Sequence, residues 1–94
     1  DNGLSGKSLL SLVELIKEIS KDQQVLCITH QPFLAARGLA HFKVNKNVID
    51  GKTYTSILKL TTKKQRKNEL IELIGGVSSE VNEYASKLLD QAAA

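Results

Sequence analysis

Five consecutive residues, Val25-Leu26-Cys27-Ile28-Thr29, form an almost wholly apolar run that stops abruptly at His30-Gln31-Pro32. A run that apolar reads as a strand covered on both faces, the pattern of a parallel sheet packed between helices. In sheets of this kind ligands bind just beyond the carboxyl ends of the strands. The strand, taken as residues 24–30, would therefore present His30 to whatever occupies the crevice. His30 is the first candidate site residue.

Size and composition narrow the rest. Ninety-four residues make one small domain or part of a larger one, with a modest core. A hydrophobic content of 41% and a charged content of 24% describe an ordinary globular chain. The net charge of +3 permits an acidic partner without demanding one. A single cysteine, Cys27, excludes an internal disulfide, and its place in the apolar run reads as a buried, inert thiol in a reducing compartment. No apolar run approaches the length of a membrane span and no signal-peptide pattern is present, so a cytosolic protein is expected.

The remaining elements follow from periodicity and punctuation. Leu9, Leu12, Val13, Ile16 and Ile19 lie on one stripe of a helix from Lys7 to Ile19, with Ser5 as its N-cap. Pro32 suits the first turn of a short helix that Gly38 can end. His41 to Asn47 alternates like a strand, and Asp50-Gly51 is a hairpin turn whose two positions need positive φ. The return strand runs from about Lys52 to Leu60, which sets Val44 opposite Ile57 and Val48 opposite Thr53. Thr62 with Gln65 is a capping box for a helix stopped by Gly75-Gly76. A last helix carries Val81, Tyr84, Ala85, Leu88, Leu89 and Ala92 at helical spacing. Tyr54 and Tyr84 read as half-buried anchors. The parallel neighbours of the apolar strand are not visible in the sequence. With the missing initiator Met, this suggests a fragment.

Two short motifs do not carry weight. Gly6-Lys7-Ser8 resembles the end of a phosphate-binding loop, but Asp1 stands where the template requires glycine, and no strand precedes it. Gly3-Leu4-Ser5-Gly6 fits the G-x-x-G clamp of a KH module, a four-residue pattern common by chance.

Taken in order, the residues resemble a known family. Asp1-Asn2-Gly3-Leu4-Ser5-Gly6, a helix, and then Val25 to Pro32 are similar to the stretch following the Walker B motif of ABC-type ATPases. Phe42-Lys43-Val44, the Asp50-Gly51 hairpin with Thr53 and Thr55, Glu69-Leu70 through Leu73-Ile74-Gly75-Gly76, and Ala85 with Leu88-Leu89 resemble the C-terminus of the RecN family. These are SMC-like bacterial proteins of DNA double-strand-break repair. The resemblance covers essentially the whole chain.

It implies an α/β fold, the C-terminal fragment of a P-loop (ABC/SMC-type) ATPase head. Residues 1–94 would form one lobe segment with a buried parallel-type strand, a β-hairpin and about four helices. Its parts would be a D-loop at 1–6, the switch-histidine strand at 24–30, the hairpin at 41–60 and C-terminal helices at 62–93. Asp1 resembles the second aspartate of the family's D-E-I-D sequence, placing the start just after the catalytic glutamate. Asn2, Gly3, Leu4 and Ser5 resemble the rest of the D-loop, which crosses the head dimer; Ser5 replaces the usual aspartate, so no carboxylate acts there. Asp1 and Ser5 also fit plain turn and N-cap chemistry.

His30 resembles the switch-loop histidine that contacts the γ-phosphate and the attacking water. A neutral imidazole can donate one hydrogen bond and accept another, which suits that role. On pattern alone a turn-capping histidine is the simpler reading; the resemblance reverses the choice. His41 reads as a partly exposed strand residue. The intact parent is expected to use ATP and Mg2+, to pair as a homodimer through its heads, and to act on DNA in the bacterial cytoplasm, nucleoid-associated during repair. The fragment alone, packed against the rest of its own head, is expected to be inactive, without metal, cofactor or membrane contact.

Lys63, Lys64, Arg66 and Lys67 form the one basic cluster, at a helix N-terminus where the macrodipole opposes them. Such runs are commonly solvated faces; here DNA or another part of the parent is a candidate partner. No aromatic is interleaved for base stacking. The alternative to the ATPase-head reading is an independent α+β module that binds nucleic acid or protein through the basic helix at 63–67.

Overall fold

The computed structural model describes residues 6–93. Its elements are α1 (Gly6–Ile19), α2 (Pro32–Arg37), β1 (His41–Ile49), β2 (Lys52–Leu60), α3 (Lys63–Ile74) and α4 (Ser79–Ala93). The four helices and the hairpin expected from the sequence are all present. Residues 1–5 of the expected D-loop, with the Ser5 N-cap, lie outside the described residues, and Gly6 opens α1.

Helices α2, α3 and α4 build the core. Ala36, Leu70, Ala85, Leu88 and Leu89 bury against one another, with Phe33, Ala35, Ile71, Leu73 and Ile74 packed around them. Leu70 is fully buried, which is worth about 1.5–3 kcal/mol relative to exposure. The stripe read on α4 points inward at Ala85, Leu88 and Leu89, while Tyr84 at its edge is half exposed. Tyr54 is similarly half exposed. Helix α1 leans on α2, burying Leu9 and Val13; Ile19, at the far end of its stripe, is exposed.

Capping defines the ends of α3. Thr62 accepts a hydrogen bond from the Gln65 amide at 3.1 Å, and the Gln65 side chain accepts from the Thr62 amide at 3.2 Å. This reciprocal box satisfies two donors that the first helical turn leaves without partners. Gly75, at φ 99°, closes the other end in the left-handed conformation. Gly38 ends α2 for a different reason than a left-handed cap. Its φ is −67°, but a Cβ there would lie 2.9 Å from the Ala40 carbonyl oxygen.

The hairpin has the register read from its turn. Val44 faces Ile57 and Val48 faces Thr53, and Asp50 and Gly51 take φ of 51° and 75°. Strand β1 runs two residues further than the alternation suggested, to Ile49. Residues opposite one another share a face, so Phe42, Val44, Val48 and Ile57 form an apolar face, all of them exposed. The opposite face carries Lys43 and Leu60 toward α3, where Lys43 Nζ lies 2.9 Å from both Glu69 Oε1 and Glu72 Oε2.

The apolar run departs from expectation. Residues 24–30 are not a strand, and the only sheet among the described residues is the antiparallel pair β1–β2. Leu26 and Ile28 are 85% and 102% exposed, and Cys27, expected in the core, is exposed too. The physical reason is direct. A strand is defined by a neighbouring strand that takes its N–H and C=O groups, and the described sheet, β1–β2, does not include this segment.

Candidate functional site

His30 is the last residue of the apolar segment but one before α2, and it is exposed. Local bonding shapes the approach. The Gln31 amide donates to Thr29 Oγ1 at 2.9 Å, and Gln31 is extended at φ −85°, ψ 117°. Extended backbone is what a residue before proline prefers. Pro32 then opens α2, and the Gln31 carbonyl accepts the Ala35 amide at 3.0 Å. The imidazole is thus carried on a short extended link anchored to a helix that itself packs into the core. Asp1, Asn2, Gly3, Leu4 and Ser5, the other residues of the expected nucleotide and dimer contact, lie outside the described residues.

The basic cluster divides into two kinds of residue. Arg66 turns inward: one guanidinium nitrogen donates to the carbonyls of Ala35 at 3.3 Å, Ala36 at 3.3 Å and Gly38 at 2.9 Å. The Ala35 carbonyl also accepts the Gly38 amide at 3.4 Å, so Arg66 adds side-chain donation to the backbone cap at the end of α2 and ties it to α3. Its guanidinium is thus engaged with backbone carbonyls of the fold, unlike the other three members of the cluster. Lys63 pairs with Asp90 of α4 at 2.6 Å in an exposed ion pair of small energetic weight. Lys64 and Lys67 have no ion-pair partner among the described residues.

Those two lysines line an open groove between α3 and α4 of about 500 Å³, with Lys63, Asn68, Asn82 and Ser86. The sequence drew attention to the lysines but not to the two asparagines and the serine. Asn82 and Ser86 are one turn apart on α4, a spacing legible in hindsight only once α4 is known to lie against α3.

A second polar cluster sits where the hairpin meets α3. His41 is half-buried, its Nδ1 is buried without a hydrogen-bond partner, and Arg66 and Glu69 are its charged neighbours. Burial, with the Arg66 charge behind it, holds the His41 pKa below 6.5, against a smaller upward pull from Glu69. Lys43 is held above its ordinary range by hydrogen bonding to Glu72 and then Glu69, and Glu72 is held below its own by the same bond from Lys43. This network docks the hairpin rather than forming a catalytic constellation. Among the described residues, no group of three or more His, Cys, Asp or Glu could hold a metal ion. No helix among them is long and apolar enough to cross a membrane.

No family model matches the chain. Its sequence is nevertheless closely similar to curated proteins. It is 37% identical over 109 aligned positions to the DNA repair protein RecN of Synechocystis, covering 100% of this chain and 19% of that protein. It is 36% identical over 93 positions to the protein of the same name from Xylella fastidiosa strain 9a5c, with coverage of 97% and 16%. The corresponding protein of Bacillus subtilis is 36% identical over 94 positions, with coverage of 98% and 16%. The chain belongs to the RecN family. It spans less than a fifth of the length of the RecN proteins it matches. Within that span the match is nearly complete, so helices, hairpin and the His30 segment all fall in RecN-like sequence.

Proposed function

We propose that this chain is the C-terminal lobe segment of the ATPase head of a longer, SMC-like DNA repair protein. The observation that carries the reading is the match to RecN proteins along 97–100% of the chain. The parent binds and hydrolyses ATP with Mg2+, pairs through its heads as a homodimer, and couples that cycle to recombinational repair in the bacterial cytoplasm, at the nucleoid. His30 acts as the switch histidine, linking a γ-phosphate oxygen to the attacking water. Phosphoryl transfer depends chiefly on donors positioned around a charge-rich transition state, and a neutral imidazole both donates and accepts. Asp1 to Ser5 serve as the D-loop at the dimer interface.

The exposed apolar residues support a segment that completes itself against the rest of a head. Leu26 and Ile28 are fully or nearly fully exposed, and Phe42, Val44, Val48 and Ile57 add a second uncovered surface. An independent binding module would be expected to close over such surfaces. The Mg2+ ligands would come from elsewhere in the parent.

The test is ATP hydrolysis by the full-length protein and by its His30→Ala variant. The variant should lose at least tenfold in turnover while still binding nucleotide. Equal turnover would remove His30 from the reaction. A parent that neither binds nor hydrolyses ATP would overturn the ATPase-head reading as a whole.

A further inference from the structure

The groove between α3 and α4 has a composition that selects its partner. Its six lining residues are Lys63, Lys64, Lys67, Asn68, Asn82 and Ser86. All six are polar, none is acidic, and together they offer ammonium, amide and hydroxyl donors. Lysine, asparagine and serine side chains are common donors to nucleic-acid phosphate and sugar oxygens. The arrangement also runs against helix stability: α3 has no acidic residue in its first turn and no basic residue in its last, the reverse of what its macrodipole favours. Lys63 and Lys67, one turn apart, repel each other mildly. Lys63 is partly neutralised by Asp90, whereas Lys64 and Lys67 have no ion-pair partner among the described residues.

We infer that this groove binds the phosphate backbone of a nucleic acid without reading its sequence. An acidic peptide is the other ligand that positive charge could attract. It is disfavoured because protein interfaces place aromatic and apolar residues at their buried centre, and none lines this groove. The absence of a lining aromatic also argues against base stacking, leaving the backbone as the contacted part. The inference stands on the groove alone and does not depend on the role of His30.

The experiment is nucleotide-free binding of the full-length protein to a labelled duplex of mixed sequence, by fluorescence anisotropy across a range of KCl concentrations. The groove variant is Lys64→Gln with Lys67→Gln; the charge-matched control is Lys17→Gln on α1 with Lys52→Gln beside the hairpin turn. Loss of two phosphate contacts should weaken binding by about tenfold or more at 0.1 M salt and make the log–log salt slope shallower by about 2. The control should leave both unchanged, and a second duplex of unrelated sequence should give the same losses. Unchanged affinity and slope in the groove variant would overturn the inference. So would an equal loss in the control, which would show a general charge effect. Polyglutamate competing as well as DNA at equal charge would also overturn it, by making the groove a site for acidic protein. Thermal melting of each variant, expected to be unchanged, keeps a folding defect from being read as lost binding.

Discussion

Two parts of this chain both carry clustered apolar side chains and meet opposite fates. The corner formed by α2, α3 and α4 closes over Leu70, Ala85, Leu88 and Leu89 and caps its own helix ends with Arg66 and the Thr62–Gln65 box. The 24–30 segment and the outer face of the hairpin leave Leu26, Ile28, Val44 and Ile57 in solvent. The difference lies in where the partners are. Helices satisfy their backbone internally and need only a face to bury, which three short helices supply to one another. A strand needs another strand for its backbone and layers for its side chains.

The largest effect that can break this comparison is at the closed corner. Leu70→Ala should destabilise the chain by about 2–5 kcal/mol, a large part of the stability of any small domain. Urea unfolding followed by circular dichroism would measure it. A loss below about 1 kcal/mol would show that the corner is not the core described here.

Arg66→Met comes next. It removes the donor to three carbonyls at the end of α2 while keeping much of the side-chain bulk, and should cost about 2 kcal/mol. The same variant should leave nucleic-acid affinity little changed, because the guanidinium points into the fold. A normal melting temperature with impaired DNA binding would return Arg66 to the contact surface.

How much of this was legible in the sequence depends on how far apart the interacting residues are. The hairpin register, the capping box, the Pro32 start and the α4 stripe all rest on residues within a few positions of each other, and all appear as read. Arg66 reads as one more surface cation because its partners stand 28–31 residues away, across a turn and a hairpin. The groove needed α3 and α4 side by side before Asn82 and Ser86 could be joined to Lys64 and Lys67. The apolar run is the instructive failure. Its pattern reads as a segment buried on both faces, but pattern alone does not supply neighbouring strands, and the described structure leaves the run exposed and outside the sheet. Asp1 to Ser5, expected from the sequence to form a D-loop, lie outside the described residues.

Acidity probes the junction between the two parts. The folded chain holds the His41 pKa below its unfolded value of 6.5, so the unfolded state binds the proton more readily. The stabilising difference is complete above pH 6.5 and is lost progressively as pH falls below it. The Glu72 and Glu80 carboxyls, held below 4.5, add a further loss at lower pH. The urea midpoint should fall between pH 7.5 and pH 5.5, and His41→Gln should flatten that part of the profile. A midpoint independent of pH over this range, or one that falls equally in the variant, would remove His41 from the junction.

The smallest effect is expected at the open segment. Ile28→Ser in the 94-residue chain should change stability by less than about 0.5 kcal/mol, since a fully exposed side chain has no packing to lose. The same substitution in the full-length protein should be clearly destabilising if the rest of a head covers the segment.

Hydrogen exchange at the Val25 to Thr29 amides in the full-length protein tests the central claim most directly. If this run is an inner strand of a larger sheet that aims His30 at nucleotide, those amides should exchange orders of magnitude more slowly than in the 94-residue chain, approaching the rate set by global unfolding. Exchange as fast in the full-length protein as in the chain alone would contradict the account and leave His30 on an open loop.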